Sequence, residues 1–339
     1  MSSERAKPFS RIAIVGVGQV GAAAAHALIL SSIASELLLV DVKVDLRDAQ
    51  VHDLSDVTYS GSSSTRVRAA TYDEAGQCDV IVVTAGSKYF RGIGPLYVGA
   101  IFLLDVLQGH KLMRKCLGET SIGHMYQKMG IIRGVVKAMK PFRSDAILLI
   151  VANPVDLLTS LALEISQLPP SQVLGSGTFL DSVRLRGLLA DKAGVATNSI
   201  DLYVVGVHGN SQVVAWSTAT IAGVSLDKSL PHGTINHAEL VKECKERTQS
   251  IIQAKGSTAF GIGSIVCSIC SSILLDKRNV RPVSHLQPEF GCCFSLPVIL
   301  GRKGIIRTIQ LPLNSEEQAA VAESANTLGA TIERINEDQ

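Results

Sequence analysis

An excess of charge of either sign is what this sequence most plainly lacks. Across 339 residues, 32 lysines and arginines stand against 30 aspartates and glutamates, a formal charge of +2. No basic block of the kind that neutralises a phosphate backbone is present, so nucleic acid is not an expected partner. An apolar run of membrane length is missing as well. Residues 93–107 are nearly all apolar, but Pro95 and Asp105 interrupt them, and the run falls short of the roughly 20 residues that a spanning helix needs. The N-terminal segment, Met1 to Arg11, carries charges and serines without an apolar core, so no secretory signal is expected. The seven cysteines, at 78, 116, 244, 267, 270, 292 and 293, form no set of paired metal-ligand motifs. Reduced thiols in a cytoplasmic protein, with no bound metal, are the expectation. Cys267 and Cys270 do make one C-x-x-C, but it lies in an apolar helical run, 262–275, that reads as a core face.

What the chain does have is the material for a core. Hydrophobic residues make up 46% and charged residues 18%, which disfavours disorder and, at this length, suits two domains or one large one. Its first organised segment is Arg11-Ile12-Ala13-Ile14-Val15, a buried-strand pattern running into Gly16-Val17-Gly18-Gln19-Val20-Gly21 and then an alanine-rich helix. This is G-x-G-x-x-G in a strand-turn-helix setting. Gly16 permits the tight turn, Gly18 lets a pyrophosphate approach the backbone, and Gly21 lets helix and strand pack closely. The helix N-terminus offers free N–H groups and a positive dipole end to phosphate. A second strand ends in Asp41, 20 residues beyond Gly21, where a carboxylate accepts the ribose hydroxyls of NAD and repels the extra phosphate of NADP. Two further buried strands follow, one ending at Thr84-Ala85-Gly86 and one at Asn153-Pro154-Val155-Asp156. An amide side chain at the carboxyl end of a parallel strand points toward the crevice where such sheets bind ligands, which makes Asn153 a candidate for both nicotinamide and substrate oxygen.

The segment from Gly175 to Trp216 carries the chemistry. Asp181 and Arg184 are three apart, so on a helix opening after Thr178 they occupy neighbouring positions of one face. His208 follows a Val/Tyr-rich run, 201–205, that reads as a strand, and lies on a turn bounded by Gly206 and Gly209. A carboxylate bonded to one ring nitrogen fixes the tautomer and raises the proton affinity of the other. That makes a proton donor and acceptor for neutral pH. Arg184 supplies a planar fork that grips a carboxylate in bidentate fashion. Together they suit a small acid with a hydroxyl or keto group beside its carboxylate. Singly, each residue is also compatible with a helix cap, a surface pair and a turn histidine.

These segments resemble the L-lactate/malate dehydrogenase family, lactate-type, over nearly the whole chain. The matching motifs are Gly16-Val-Gly-Gln-Val-Gly21, Thr84-Ala-Gly86, Asn153-Pro-Val-Asp156, Gly175-Ser-Gly-Thr-Phe-Leu-Asp-Ser-Val-Arg184, His208-Gly-Asn-Ser-Gln212 and Lys255-Gly-Ser-Thr258. The resemblance implies an α/β fold: a Rossmann-type doubly wound parallel sheet over residues 1–156, then an α+β substrate domain over 157–339. It implies NAD held by Gly16, Gly18, Gln19, Val20, Gly21, Asp41, Thr84, Ala85, Gly86 and Asn153. His208 becomes the proton carrier, Asp181 its orienting partner, Arg184 the substrate-carboxylate clamp and Thr258 a pocket wall, with Asn153 also touching substrate. The implied activity interconverts L-lactate and pyruvate in a homo-oligomer, tetramer or dimer. Malate dehydrogenation and a catalytically weak NAD-binding protein are the alternatives.

Two departures stand out. The histidine turn resembles a family pattern Gly-Glu-His-Gly-Asp-Ser but reads Gly206-Val207-His208-Gly209-Asn210-Ser211, with two acids replaced by neutral residues. In the family a mobile loop with Gly-Glu-Thr-Arg at its hinge closely follows the Thr-Ala-Gly turn. Here 31 residues separate Gly86 from Gly118-Glu119-Thr120, and Ser121 stands where the arginine would. The excess, about residues 89–114, is open to three readings: an extra lid or interaction element, a disordered insertion, or non-coding sequence carried into the translated gene. A loop of such length is unusual inside a compact domain. Serine in place of arginine predicts weakened turnover with NADH binding retained.

Overall fold

The computed structural model describes residues 9–86, 121–231 and 233–337. Short apolar runs such as Glu36-Leu-Leu-Leu-Val40 and Val80-Ile-Val-Val83, buried at every position, form strands with both faces covered, as parallel sheets require. They are β1 (Arg11–Val15), β2 (Glu36–Val40), β4 (Val80–Val83), β5 (Ile147–Ile150) and β6 (Val173–Gly175), with β3 (Arg66–Ala69), which has no buried position, at the sheet edge. These six pair in parallel in the order β3-β2-β1-β4-β5-β6. Strand order reverses between β1 and β4, so the crevice of a doubly wound sheet opens there. Small strands β7 (Ile200–Asp201), β8 (Val204–Val205), β9 (Val213–Val214), β10 (Thr220–Ile221) and β11 (Val224–Ser225) follow, and β12 (Val280–Gln287), β13 (Cys292–Gly301) and β14 (Gly304–Thr308) close the series. The last three are antiparallel. They extend the same sheet past β6, through Ser284 opposite Gly175, into nine strands.

The principal helices are α1 (Gln19–Leu30), α2 (Val44–Val57), α3 (Tyr72–Gly76), α4 (Ser121–Ala138), α5 (Val155–Ser166), α6 (Phe179–Ala193), α7 (His237–Lys255), α8 (Ala259–Leu274) and α9 (Ser315–Glu337). Alternating strand side chains feed two cores. Ile12, Ile14, Leu37, Leu39, Val80, Val82 and Leu149 meet α1 and α8 on one face. Ala13, Val15, Leu38, Ile81, Val83, Leu148 and Ile150 meet α4, α5 and α9 on the other. A third core lies away from the sheet, between α6, the strands β7 and β8, and Leu240 of α7. Among the described residues no single helix is long and apolar enough to cross a membrane.

The run 201–205 differs from the single strand expected. Asp201 belongs to β7, which pairs with β10, whereas Val204 and Val205 pair with β9. Leu202 and Val204 enter the third core while Val205 enters the sheet core. The chain bends to supply both.

Candidate active site

The dinucleotide loop is held from beneath. Gly16 adopts φ +95°, and a Cβ there would stand 2.6 Å from the Ala85 amide nitrogen; a Cβ on Gly21 would stand 2.0 Å from the Gly16 carbonyl oxygen. Both contacts demand glycine. Above Gly18, by contrast, a Cβ would meet nothing within 4 Å. Thr84 donates its hydroxyl to the Gly16 carbonyl and its amide to Val15 at 2.9 Å, locking the ends of β1 and β4 together. Asp41, at the end of β2, accepts the Val17 amide at 2.8 Å and the Lys43 amide at 2.9 Å. It keeps lone pairs for further donors. No side chain caps the N-terminus of α1, so its first amides are available to an anion. Gly16, Gly18, Gln19, Val20, Gly21, Asp41, Thr84, Ala85 and Gly86 thus gather at the carboxyl ends of β1, β2 and β4. Asn153 stands at the end of β5. Its Oδ1 accepts the Val155 amide at 3.3 Å, an Asx turn that orients the side chain.

Asp181 and His208 arrive from different elements. α6 carries Asp181 in its first turn, and two hydroxyls on the same helix end tie it to β8. Thr178 donates to the Val204 carbonyl, and Ser182 Oγ accepts the Val204 amide at 2.9 Å. The turn beyond β8 is pinned by Gly206, which exchanges backbone bonds with Ser295 at 2.8 and 3.0 Å, and by Val207, whose amide reaches Ser324 Oγ at 3.2 Å. The result sets His208 Nδ1 2.9 Å from Asp181 Oδ2. Both atoms are buried and neither has a hydrogen-bond partner of good geometry among the described residues, so they meet as an ion pair. Arg184 stands one turn along, its guanidinium 3.9 Å from Asp181 Oδ1.

Burial works against both charges and the pairing outweighs it. Burial would raise Asp181, but the His208 bond and the charges of His208 and Arg184 bring it below the usual aspartate range. Burial would lower His208, yet the bond to Asp181 and the charges of Asp181 and Asp156 lift it above the usual imidazole range. Nε2, the other ring nitrogen, is the one left to exchange a proton with a ligand.

Thr258 occupies the residue before α8. α8 packs along α1 so closely that a Cβ on Gly263 would stand 2.7 Å from the Ala23 carbonyl oxygen. This brings the start of α8 to the dinucleotide loop, where Ser257 donates to Gln19 Oε1 at 3.0 Å. Lys255 Nζ sits 4.1 Å over the Phe260 ring.

One functional group escaped the sequence reading. Asp156, 2% exposed, accepts the backbone N–H of His208 at 2.7 Å. Its place in Asn-Pro-Val-Asp was visible, but nothing in the sequence shows which turn 52 residues away it serves. Residues 89–114 and Gly118-Glu119-Thr120 lie outside the described residues; Ser121 opens α4, and its side chain lies outside them too. Among the described residues no group of three or more His, Cys, Asp or Glu is arranged to hold a metal ion.

A parallel sheet with a glycine loop and acid-tipped second strand, facing a histidine–aspartate pair with an arginine beside it, defines a nicotinamide-dependent dehydrogenase of small acids. Sequence comparison agrees. Residues 10–93 and 113–175 match the NAD-binding domain of lactate/malate dehydrogenase, and residues 178–339 match its alpha/beta C-terminal domain. The chain is 36% identical to L-lactate dehydrogenase A of Rhizopus oryzae over 94% of its length and 91% of the relative's. It is 31% identical to L-lactate dehydrogenase 2 of Staphylococcus aureus (strain Newman) over 96% of both. Among solved structures, the ligand-bound minor L-lactate dehydrogenase of Enterococcus mundtii superposes with a TM-score of 0.83 at 29% identity, covering 96% of this chain and 98% of that one. A lactate dehydrogenase, MGS-M5, from a Medee basin deep-sea metagenome library gives 0.84 at 26% identity, with the same coverage. The chain belongs to the lactate/malate dehydrogenase family and is an NAD-dependent enzyme of the lactate dehydrogenase type. Residues 94–112 fall between the segments that the family's NAD-binding domain matches, within the excess noted in the sequence.

Proposed function

We propose that this protein interconverts L-lactate and pyruvate. The observation that carries the reading is the buried pair of His208 Nδ1 and Asp181 Oδ2 at 2.9 Å, with Arg184 one helical turn away on the same face of α6. NAD, when bound, supplies or accepts the hydride. Residues 1–156 hold the cofactor in this reading: the Gly16–Gly21 loop and the α1 N-terminus take the pyrophosphate, Asp41 the ribose, and Thr84, Ala85, Gly86 and Asn153 border the ring. Residues 157–339 hold the acid. Arg184 binds its carboxylate as a bidentate pair, and Asn153 and Thr258 bound the pocket. His208 Nε2 gives its proton to the forming hydroxyl during reduction and takes it back during oxidation. Asp181 favours the imidazolium, so the donor form persists near neutral pH.

Lactate is placed ahead of malate because the most similar relatives named above are L-lactate dehydrogenases and because Lys255-Gly-Ser-Thr258 is lactate-type. The test is side-by-side turnover of pyruvate and oxaloacetate with NADH by the purified chain. Faster reduction of pyruvate is expected. Preference for oxaloacetate would make the enzyme a malate dehydrogenase, and NADH binding without turnover of either acid would leave a weak NAD-binding protein. The family resemblance also implies a homo-oligomer, tetramer or dimer, and location in the cytoplasm. Sedimentation equilibrium giving a mass near the 36.0 kDa of one chain would overturn the assembly.

A further inference from the structure

Asp156 takes part in the site through the backbone of His208. It is the second residue of α5, its carboxyl is buried, and Oδ2 accepts the His208 amide at 2.7 Å. The histidine turn has little stiffness of its own, since Gly206 and Gly209 flank it at φ +82° and +122°. Of the two amides between them, Val207 reaches Ser324 and His208 makes a charge-assisted bond to Asp156 that fixes where the imidazole begins. The sequence supplies no acid beside the histidine, because Val207 and Asn210 are neutral. Among the described residues the negative charges that raise His208 therefore come from other elements, Asp181 on α6 and Asp156 on α5.

The surroundings of Asp156 make its charge effective. Facing it are His208 from the turn, Asp181 from α6 and the Ser284 hydroxyl from β12, with Arg184 beyond, against Asp181. Cys292 and Cys293 on β13 are kept neutral, burial pushing their thiols up to about 11 and about 12. His285, next on β12, is turned to Val283 and Thr308, and on α4, which also packs on α5, Arg133 is coupled to Glu164. Burial raises the Asp156 carboxyl to about 6, against the pull of the Ser284 hydroxyl, the His208 amide and the His208 charge. It is thus an anion at neutral pH and titrates in the range of an ordinary imidazole.

We propose that Asp156 is a second positioning carboxylate for His208, fixing the turn through the backbone amide and holding a buried negative charge against the imidazolium. The consequence extends the reading of His208 as proton carrier, on which it rests. Two carboxylates share one histidine: Asp181 sets the ring, and Asp156 sets the backbone and adds to the charge. Protonating Asp156 below neutral pH removes its charge from His208, so the two groups titrate as a coupled pair.

Ring-labelled histidine NMR tests this without requiring turnover, the His208 signal being the one lost in His208→Asn. In the unsubstituted chain the His208 titration is expected to be broader than a one-proton curve. In Asp156→Asn, which keeps an oxygen acceptor and removes the charge, the curve should become single and its midpoint should fall by on the order of one pH unit. NADH affinity should stay within about twofold, since no cofactor contact is touched. A midpoint that moves by less than about 0.2 unit, a small fraction of the 1.36 kcal/mol per unit scale, would overturn the proposal. If Asp156→Asn does not fold, the unsubstituted chain decides alone, because a simple one-proton curve overturns the coupling. Turnover retained by His208→Asn would defeat the proton-carrier reading and leave this titration result standing, so the two failures are distinguishable.

Discussion

At the scale of single residues the site is a balance between burial and pairing. Asp181 is buried and His208 half-buried, and each is held in its charged form by the other. Replacing His208 by Asn keeps the shape and removes the proton. Turnover of pyruvate is expected to fall ~10²–10⁴-fold while NADH fluorescence titration gives an unchanged affinity. A variant that kept its full rate would remove His208 from the chemistry. The pair also has a signature in stability. Asp181 is depressed below its ordinary 3.8, so its contribution is present above that value and is lost as pH falls through its folded-state value. His208 is raised above its ordinary 6.5, so its contribution is present below that value and is lost as pH rises through its own. The melting-temperature difference between the parent and Asp181→Asn should therefore be largest between 3.8 and 6.5 and shrink on both sides. A difference that is flat across that range would show that the two groups do not stabilise each other.

At the scale of elements, the contact between α1 and α8 joins the cofactor loop to the substrate pocket. Gly263 allows it, because any Cβ there collides with the Ala23 backbone. Gly263→Ala should cost about 1–3 kcal/mol in urea denaturation, as overpacking does. It should also weaken NADH binding by shifting the α1 N-terminus and Gln19 against Ser257. Unchanged affinity and stability together would mean that the helices separate freely. The start of α4 carries a different expectation. The sequence resemblance sets Ser121 where the family carries an arginine; on that reading a serine offers at most one neutral hydrogen bond in place of an electrostatic donor worth ~10²–10³ in rate. Ser121→Arg combined with removal of residues 89–114 is therefore expected to raise pyruvate turnover by about that factor, with NADH affinity unaltered. If the parent already turns over as fast as the altered chain, the serine is no handicap.

At the scale of the whole molecule, the nine-stranded sheet is stitched at one buried carboxylate. Asp79, 5% exposed, accepts the Arg11 amide at 2.8 Å, meets Arg302 at 2.7 Å and meets Arg143 at 3.2 Å. It ties the first strand to the loop between β13 and β14. Asp79→Ala should lower unfolding free energy by about 1.5–3 kcal/mol, the range for a hydrogen bond to a charged group. Equilibrium urea unfolding measures it, and a loss below about 0.5 kcal/mol, the usual span of neutral surface changes, would show that the two arginines find other partners.

The residues themselves determined a great deal. The β1, β2, β4 and β5 runs, the glycine loop and Asp41 were legible because a buried parallel strand is apolar nearly throughout and a pyrophosphate turn admits only glycine at certain positions, whereas β3, Arg-Val-Arg-Ala at the sheet edge, and the three-residue β6 carry no such run. Asp181, Arg184 and His208 were legible because acid-base chemistry on a small acid needs those side chains, and helical spacing places two of them on one face. Tertiary structure alone decided three matters. The run 201–205 was split between two sheets, because adjacent side chains were claimed by different cores. The strands β12 to β14 joined the first sheet through one pairing, Gly175 with Ser284, a register that local periodicity does not encode. Asp156 was assigned to the His208 amide, since a hydrogen bond across 52 residues of chain depends on how α5, α6 and β8 pack, and a sequence records the donor and the acceptor without the distance between them.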